Sequence, residues 1–335
     1  MVRVAVDAMG GDHAPATEVA GVARALSELP PTFAIDLVGQ SAAIEAELSK
    51  HPGLDRSRLR VVEAPEVIGM ADKPLDAVRK KRKSSIVVGL GLQAKGEVQA
   101  FVSAGNTGAM LAASTLLLGL HPGVERATVA TLLPTAEGPV LLLDAGATVE
   151  CSASELVGFA YLGSIYMRDI LDRSPPAVGL LNVGEEEGKG TSIVKDAHRL
   201  LKQAPGLHYI GNIEGRDILS GHKTHGRVDV VVSDGFVGNV VLKFYESVLD
   251  LVRLLASREG LWEKPETRRA FRILDYSQYG GAPLLGVKGN SIVCHGSSNP
   301  NAIMHAIRVA VQAIETNLSQ HIGTEFAAHE PAEPA

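Results

Sequence analysis

Residues 229–243 read DVVVSDGFVGNVVLK. A run of valines leads into Ser233 and Asp234, two glycines frame a turn, and an apolar segment then continues to Arg258. A continuous short apolar run is typical of a strand buried on both faces, and the longer segment after it indicates a helix. The stretch therefore predicts a strand, a tight turn and a helix, the repeating element of an α/β fold.

The same alternation continues along the chain. The expected strands are Arg3–Val6, Phe33–Val38, Leu59–Val62, Gln99–Val102, Val140–Leu143, Ala177–Leu181, Leu207–Ile210 and Val228–Val232. The expected helices are Thr17–Leu29, Ala42–Ser49, Thr107–Leu120, Ser154–Leu171, Ser192–Gln203, Val237–Arg258 and Asn301–Leu318. A hairpin is expected from Leu284–Val287 and Ser291–Cys294. The pattern predicts a mostly parallel sheet between helical layers, in one domain over residues 1–322, with a disordered tail over 323–335.

Composition narrows the class of protein. With 45% hydrophobic residues, the 335-residue chain can bury a large core, and its net charge of -6 argues against nucleic-acid binding. Two cysteines are too few for a disulfide framework. The N-terminus resembles a strand rather than a signal peptide, and the longest apolar run, Ala109–Leu120, is too short to span a bilayer. We expect a cytoplasmic enzyme.

Ligands of parallel α/β sheets bind at the carboxyl ends of strands, so the loops there are the candidate sites. The first loop contains Asp7, Gly10, Gly11, Asp12 and His13. Paired glycines let backbone amides converge on an anion at a helix N-terminus, which predicts phosphate binding. The alternative is a tight turn with Asp12 as a helix cap.

The second loop contains Ser103, Gly105, Asn106, Thr107 and Gly108 between a strand and an apolar helix. Its side chains can donate hydrogen bonds, and its last amides belong to a helix N-terminus. An anion site is predicted, and a simple Asn or Thr cap is compatible with it.

The third loop, residues 182–192, superficially resembles a P-loop. It fails that pattern because its spacing is one residue short and Gly190 separates Lys189 from Thr191. Lys189 is still a candidate for neutralising a single phosphate, with Glu185 beside it in the substrate site. The alternative is a solvated acidic loop.

Two further loops place acidic and basic groups after strands. Arg216 can bind a phosphate or carboxylate, or it can form an ion pair with Asp217 or Glu214. Asp234 is a candidate acid or base. The substrate-binding candidates of these loops are Asn212, Arg216, Gly235 and Asn239.

The last strand leads into His295, Gly296 and Ser297, where His295 is a candidate for proton transfer. The sequence has no dinucleotide fingerprint after a strand, no Gly-x-Ser-x-Gly elbow and no zinc-ligand spacing. A Cys294 nucleophile is possible but disfavoured. No cofactor or metal is expected.

Taken in order, these loops closely resemble one family, the bacterial phosphate acyltransferases. The matching strings are AVDAMGGDHAP (Ala5–Pro15), KPLDAVRKKRKSS (Lys73–Ser85), SAGNTGA (Ser103–Ala109), LLPT (Leu132–Thr135), LLNVGEEEGKG (Leu180–Gly190), GNIEGRDI (Gly211–Ile218), DVVVSDGFVGNVVLK (Asp229–Lys243), GGAPLLGVKG (Gly280–Gly289) and HGSS (His295–Ser298). Each string is weak alone, but together they are specific and span nearly the whole chain.

The resemblance implies a three-layer α/β/α Rossmann-like fold, similar to those of isocitrate/isopropylmalate dehydrogenases and phosphotransacetylases, and a homodimer. The implied reaction converts acyl-acyl carrier protein and inorganic phosphate to acyl phosphate and free carrier protein. A membrane acylphosphate:glycerol-3-phosphate acyltransferase then uses the product in phosphatidic acid and phospholipid synthesis. We expect Asn106, Thr107 and Lys189 to act on phosphate, and Asp234 or His295 to manage protons.

Two surfaces fit this activity. The basic run Arg79, Lys80, Lys81, Arg82 and Lys83 is either a solvated helix face or a dock for the acidic acyl carrier protein. Family members carry a helical hairpin, here residues 240–275, which is expected to contact the dimer partner or the inner face of the membrane. The membrane-contact candidates are Leu254, Leu255, Leu261 and Trp262.

Three other functions compete with this one. A phosphotransacetylase-like enzyme would use acyl-CoA on the same fold. A non-catalytic membrane-associated scaffold of lipid synthesis would have lost the polar groups of the strand-end loops, which this chain retains. A nicotinamide-dependent dehydrogenase is an analogue at the level of fold alone.

Overall fold

The computed structural model describes residues 1–135, 137–223, 226–267 and 280–329. The chain forms two compact units, and the expectation of one domain over residues 1–322 stays a prediction. The first comprises the described residues of Met1–Ala127 and Ser277–Ala335, and the second those of Thr128–Tyr276. Strands alternate with helices on both sides of these boundaries, so the local pattern carried no signal of the division.

The strands match the predicted runs closely and add short ones. In chain order they are β1 Val2–Asp7, β2 Phe33–Gly39, β3 Leu59–Glu63, β4 Ala100–Ser103, β5 Thr128–Val129, β6 Thr131–Leu133, β7 Val140–Leu143, β8 Ala177–Leu181, β9 His208–Ile213, β10 His222–Lys223, β11 Gly226–Arg227, β12 Val230–Val232, β13 Ala282–Leu285 and β14 Asn290–Val293. The predicted hairpin near the end is confirmed, because β13 pairs antiparallel with β14.

The helices also follow the predicted segments. They are α1 Ala16–Glu28, α2 Ser41–Leu48, α3 Pro74–Lys80, α4 Ser85–Ala94, α5 Thr107–Leu117, α6 Ala153–Leu171, α7 Ser192–Gln203, α8 Gly215–Ser220, α9 Gly235–Arg258, α10 Pro300–Glu315 and α11 Leu318–His329, with a 3-10 turn at Arg56–Arg58. The helices α3, α4, α8 and α11 were not among the predicted segments. Pro15 precedes α1 as its N-cap.

In the first unit, neighbouring strands lie in the order β3-β2-β1-β4-β14-β13. All of these pairs are parallel except β14–β13. Alternate residues of β1 enter different layers: Val4 and Val6 pack with α1 and α10, whereas Ala5 packs with α4 and α5. Because successive side chains of a strand point to opposite faces, a sheet covered on both sides needs the near-continuous apolar runs seen in the sequence.

The second unit has its own sheet, in the order β6-β7-β12-β8-β9, with only β6 antiparallel to its neighbour. Leu142 and Val231 belong to a cluster on the α9 side that includes the buried Tyr245. On the other face, Gly163 of α6 lies directly against Val230 and Leu143. The predicted α/β/α layering is therefore confirmed, and each of the two units has its own sheet between helices.

The structure bears on two further predicted segments, the C-terminal tail and the helical hairpin. The tail was expected to be disordered from residue 323. Instead, α11 continues to His329, and the apolar side chain of Phe326 is buried. Burial of this side chain holds the last turns of the helix in place. Residues 330–335, and residues 268–275 of the helical hairpin expected over 240–275, lie outside the described residues. Among the helices that the structure describes, none combines the length and the hydropathy that crossing a bilayer requires.

Candidate active site

Three of the predicted loops meet at one edge of the first sheet. They follow β1, β4 and β14, which are neighbours whose carboxyl ends are in register. The backbone N–H of Asp12 donates to the Gly296 carbonyl over 2.8 Å. A Cβ at Gly10 would lie 2.6 Å from the Gly105 nitrogen, and one at Gly296 would lie 2.8 Å from Asp12 Oδ1. At Gly10 the nearest atom belongs to the backbone, which cannot move aside, whereas at Gly296 the Asp12 side chain would have to shift.

Asp7 lies beneath these loops and holds two of them together. It is 1% exposed, and its Oδ2 accepts from Ser103 Oγ over 2.7 Å, while Oδ1 accepts from the Met9 N–H over 3.0 Å. Burial raises the pKa of this carboxyl, and the hydrogen bonds from Ser103, Ser85 and Met9 oppose that rise. The carboxylate is therefore an internal support, not the substrate-contacting group that we expected.

Asn106 has a similar internal role. Its Oδ1 caps α5 by accepting from the Ala109 N–H over 3.0 Å, and its Nδ2 donates to the carbonyls of Gly69, Met70 and Asp72 at 3.2–3.3 Å. Since both ends of the amide are engaged, the side chain is poorly placed for the catalytic role that we assigned to it.

The backbone of the same loop offers better donors. Thr107 and Gly108 form the first turn of α5, where amide N–H groups have no acceptor within the helix. Thr107 as a residue is exposed to solvent. The amides of this turn, together with the helix dipole, are the part of the predicted anion site that remains available.

His295 is exposed at the end of β14, and its ring orientation is fixed by Ser297. The Ser297 N–H donates to His295 Nδ1 over 3.2 Å, and the Ser297 hydroxyl lies 2.7 Å from the same nitrogen. Because Nδ1 accepts a backbone N–H, the neutral ring carries its proton on Nε2. Neutral His295 is thus a donor through Nε2.

Glu18 is a residue of this edge that our sequence reasoning missed. It lies in the first turn of α1, is 1% exposed, and neither carboxyl oxygen has a hydrogen bond of normal geometry. A Cβ at Gly11 would overlap with Glu18 Oε1, so the carboxyl lies directly against the glycine turn. The available signal was a charged residue on the apolar stripe of α1, in line with Val22 and Ala25.

Burial raises the pKa of Glu18 to about 7, and the charges of Asp7 and Asp12 add to the effect. The nearby amides of Glu18 and Gly11 lower it by a smaller amount. Burial also raises the pKa of the Cys294 thiol to about 12, with the Glu18 charge contributing. Cys294 therefore stays protonated near neutral pH, which agrees with its rejection as a nucleophile.

The second unit places its loops at the carboxyl edge of its own sheet. Asp234 is the N-cap of α9, and its Oδ1 accepts from the Val237 N–H over 2.8 Å. A Cβ at Gly235 would lie 2.5 Å from Asp144 Oδ2, and one at Gly238 would overlap with the Asp144 carbonyl. The glycines of the stretch quoted first are thus required by the loop that follows β7.

Asp144 is the second residue that we missed. It is fully buried, and its carboxylate accepts from the N–H groups of Thr148 (2.7 Å), Val129 (3.0 Å) and Ala147 (3.1 Å) and from the Thr128 hydroxyl (3.1 Å). Burial raises its pKa, and these donors act against the rise. Asp144 follows an apolar strand and precedes a glycine, which is the signal that marked the other loops.

The acidic loop after β8 is largely paired within the second unit. Glu187 bonds Lys202 over 2.5 Å, and Arg216 lies 3.1 Å from Glu214 and 3.7 Å from Glu185. The predicted alternative of an internal Arg216–Glu214 ion pair is therefore what the fold contains. This reduces the positive charge that Arg216 offers to a substrate.

Three other predicted site residues of the second unit differ in their solvent exposure: Lys189, Asn212 and Asn239. Lys189 is exposed, and no ion pair of its ammonium occurs among the residues that the structure describes. Asn212 is buried and donates through Nδ2 to the Glu186 carbonyl over 3.3 Å, so it supports the acidic loop. Asn239 is exposed on the first turn of α9. Lys189 and Asn239 are the accessible candidates.

Comparison with known proteins assigns the family. A model of the family described as fatty acid synthesis protein matches residues 2–321. The phosphate acyltransferase of Heliobacterium modesticaldum is 48% identical, covering 96% of this chain and 98% of its own. That of Desulfitobacterium hafniense strain Y51 is 45% identical, covering 97% and 98%. The chain belongs to the phosphate acyltransferase family.

Among solved structures, a phosphotransacetylase from Streptococcus pyogenes matches with a TM-score of 0.61 at 18% identity, with 94% of each chain covered. At this identity the likeness is one of fold, and it confirms the predicted phosphotransacetylase-like architecture. The protein is accordingly an acyltransferase of this family, and the groups described above are those of a phosphate acyltransferase.

The basic run is mostly exposed to solvent. Arg79, Lys80, Arg82 and Lys83 are exposed at the end of α3 and just after it. Lys81 differs, because its ammonium bonds Asp72 over 2.6 Å and the Val67 carbonyl over 2.8 Å. Four of the five predicted docking cations therefore face solvent, and Lys81 is a structural residue.

Helix α9 carries an exposed apolar stripe along its length. Its members are Phe236, Val237, Val240, Phe244, Leu251, Leu254 and Leu255, with Leu261 exposed just beyond the helix. The other face of its first half packs on the core of the second unit, where Tyr245 is buried and Val241 and Leu242 are partly buried. Trp262 is half-buried, with the Arg253 guanidinium 5.4 Å from its ring centroid, so it is less available than the three leucines predicted with it.

Proposed function

We propose that this protein transfers an acyl group from acyl carrier protein to inorganic phosphate, forming acyl phosphate and free carrier protein. The observation that carries the proposal is the meeting of the loops after β1, β4 and β14, where Thr107 and Gly108 form the first turn of α5 and His295 lies at the end of β14. The family membership and the names of its relatives support the same reaction.

The chemistry requires no acyl-enzyme. An oxygen of hydrogen phosphate attacks the thioester carbonyl carbon, the C–S bond of the tetrahedral intermediate breaks, and the proton from phosphate ends on the departing thiol. Both cysteines are buried, and burial raises the pKa of each to about 12. The enzyme's main contributions are then to position phosphate and to stabilise the oxyanion.

Each accessible group has a proposed role. The first-turn amides of α5 hold the phosphate dianion, and neutral His295 donates from Nε2 to the developing oxyanion or to phosphate. For the loops of the second unit, the prediction made from the sequence is retained: Lys189 neutralises phosphate charge and Asp234 manages protons. An unchanged Michaelis constant for phosphate in Lys189→Ala would remove Lys189 from that role.

Partners follow from two exposed surfaces. The four free cations around the end of α3 fit an acidic carrier protein by electrostatic complementarity. The α9 stripe fits a second copy of the chain in its first half and a membrane surface around Leu254, Leu255 and Leu261. A membrane contact would deliver acyl phosphate directly to the acylphosphate:glycerol-3-phosphate acyltransferase expected to consume it, while the enzyme itself remains cytoplasmic.

The test is direct detection of acyl phosphate. Purified protein is mixed with palmitoyl-acyl carrier protein and inorganic phosphate, and the product is trapped with hydroxylamine as the hydroxamate. We expect hydroxamate that depends on both enzyme and phosphate. Product from palmitoyl-CoA but none from the carrier protein would support the phosphotransacetylase-like alternative, and no product from either would refute acyl transfer to phosphate.

A further inference from the structure

The Glu18 carboxyl is in an unusual position for an acidic side chain. It is almost fully buried under the Gly10-Gly11 turn, and neither oxygen has a hydrogen bond of normal geometry. Burial disfavours the carboxylate more than the nearby amides of Glu18 and Gly11 stabilise it, whereas a neutral carboxylic acid can be accommodated at far lower cost. The fold therefore favours the protonated form of Glu18 at this position.

The groups around Glu18 favour the same form. Asp7 at the end of β1 and Asp12 in the glycine loop act on it with negative charge, and the Cys294 thiol at the end of β14 is the other titratable neighbour. From α10, Ile303 and the Pro300 carbonyl approach Gly21, which lies one turn along α1 from Glu18. No cation contributes to the electrostatic environment of Glu18 in the part of the chain that the structure describes.

Ionisation of Glu18 would act directly on the glycine turn. The Gly11 amide already lies close enough to lower the pKa of Glu18, so a carboxylate there would attract that N–H group. It would also add a third negative charge to those of Asp7 and Asp12 beneath a loop that has to accept an anion. Both effects oppose the binding of phosphate.

We propose that Glu18 is a positioning residue that supports the Gly10-Gly11 turn as a neutral carboxylic acid, and that its ionisation weakens phosphate binding at this edge of the sheet. The inference rests on the proposed function, because it takes phosphate to be the anion held there. Ionisation of Glu18 should therefore make the phosphate affinity of the enzyme fall as the pH rises through neutrality.

The experiment measures inorganic phosphate binding by calorimetry between pH 6 and pH 8.5, in wild type and in Glu18→Gln. The amide keeps the size of the protonated acid but does not ionise. Phosphate itself titrates in this range, so the readout is the ratio of the two dissociation constants at each pH. Glu28→Gln is the matched control, since Glu28 is exposed in the last turn of the same helix and pairs with Arg24.

We expect wild type and Glu18→Gln to bind phosphate equally at pH 6. At pH 8 about one-tenth of wild-type Glu18 is neutral, given a pKa of about 7, so wild type is expected to bind about tenfold more weakly than the variant. Glu28→Gln is expected to follow wild type at every pH. A purely structural role for Glu18 would change the melting temperature without producing this pH-dependent ratio.

The outcomes separate this inference from the proposed function. Hydroxamate formation with a ratio that stays flat from pH 6 to pH 8.5 overturns the role of Glu18 and leaves acyl transfer intact. If the expected pH-dependent ratio of dissociation constants is found but no hydroxamate forms, the role of Glu18 is supported and acyl transfer to phosphate is refuted. Absence of phosphate binding by wild type at every pH overturns the inference. If Glu18→Gln does not fold, Glu18→Leu replaces it, and the same ratio is expected.

Discussion

Ser103 donates from Oγ to Oδ2 of Asp7 over 2.7 Å and also accepts from the Gly105 N–H over 3.0 Å. The serine therefore joins the ends of two neighbouring parallel strands and shapes the loop that follows the second strand. Because Asp7 is buried, this bond controls both the stability of the first unit and the position of its anion-binding amides.

Replacing Ser103 by alanine should reduce both stability and phosphate affinity. Removing a donor from a buried carboxylate costs about 1–3 kcal/mol, and the β4 loop loses its internal acceptor at the same time. Urea unfolding measures the first effect, and the Michaelis constant for phosphate measures the second. Ser49→Ala removes an exposed hydroxyl bonded to the Ala46 carbonyl and should change neither. Equal behaviour of the two variants would contradict the role of Ser103.

Gly10→Ala should impair phosphate use by displacing the glycine loop. The added Cβ would lie 2.6 Å from the Gly105 nitrogen and 2.8 Å from Asp7 Oδ2, and backbone cannot move aside without moving the loop. We expect a rise of about tenfold or more in the phosphate Michaelis constant, equivalent to about 1.4 kcal/mol. Gly53→Ala is the matched control because a Cβ there meets nothing within 4 Å. A Gly10→Ala enzyme with unchanged phosphate kinetics would show that the close approach is unimportant.

The titration of Glu18 should make stability depend on pH. Its pKa is about 7 in the fold and 4.5 without burial, so folding favours the protonated form. The stabilisation is complete below pH 4.5 and is lost as the pH rises to about 7, by up to about 3 kcal/mol. Glu18→Gln should therefore exceed wild type in unfolding free energy at pH 8 by more than at pH 5. A constant difference across this range, measured by urea unfolding, would contradict the raised pKa.

His295→Ala should lower kcat with a smaller effect on phosphate binding, because we assign the Nε2 proton to the transition state. General acid contributions of this kind are about 10²- to 10⁴-fold. Ser297→Ala removes the hydroxyl but keeps the backbone N–H that fixes Nδ1 as an acceptor, so its loss should be much smaller. The kcat of hydroxamate formation, measured for both variants, separates them. Similar losses in both would mean that the Ser297 hydroxyl, rather than its amide, sets the ring orientation.

Charge reversal around the end of α3 should act on the carrier protein and spare phosphate. Arg79→Glu with Arg82→Glu should raise the Michaelis constant for acyl carrier protein and weaken its dependence on salt, since both side chains are exposed. Lys81→Glu should instead destabilise the fold, because its ammonium bonds Asp72. If the double variant retains wild-type carrier-protein kinetics at low salt, the dock lies elsewhere.

Local sequence patterns predicted most of the strands and helices and the loops at the carboxyl ends of the strands. The valines of β12 and the glycines at 235 and 238 predicted a strand, a turn and a helix, and all three are present. The convergence of the loops after β1, β4 and β14 followed from the rule that strand ends share an edge. These inferences succeed because burial on two faces, tight turns and helix starts each leave a signature within a few neighbouring residues.

The same patterns did not show what individual side chains would contact. Arg216 was a candidate phosphate ligand, but its guanidinium pairs with Glu214 and Glu185. Asn106 was a candidate catalyst, but its amide bonds the carbonyls of a distant segment. Glu214 is close to Arg216 in sequence and was one of the predicted alternatives, whereas Glu185 and the carbonyls that Asn106 bonds are distant along the chain, so their positions depend on tertiary packing.

The sequence by itself determined the α/β class, the family and the set of strand-end loops, because each is encoded in contiguous residues. Only the tertiary structure decided that the chain forms two units with separate sheets, that Asp7 and Asn106 are internal supports, and that Glu18 and Asp144 are buried beside the loops. The physical reason is that desolvation and hydrogen bonding depend on every group around a side chain in space. For a carboxyl such as Glu18, that surrounding decides whether it carries a charge.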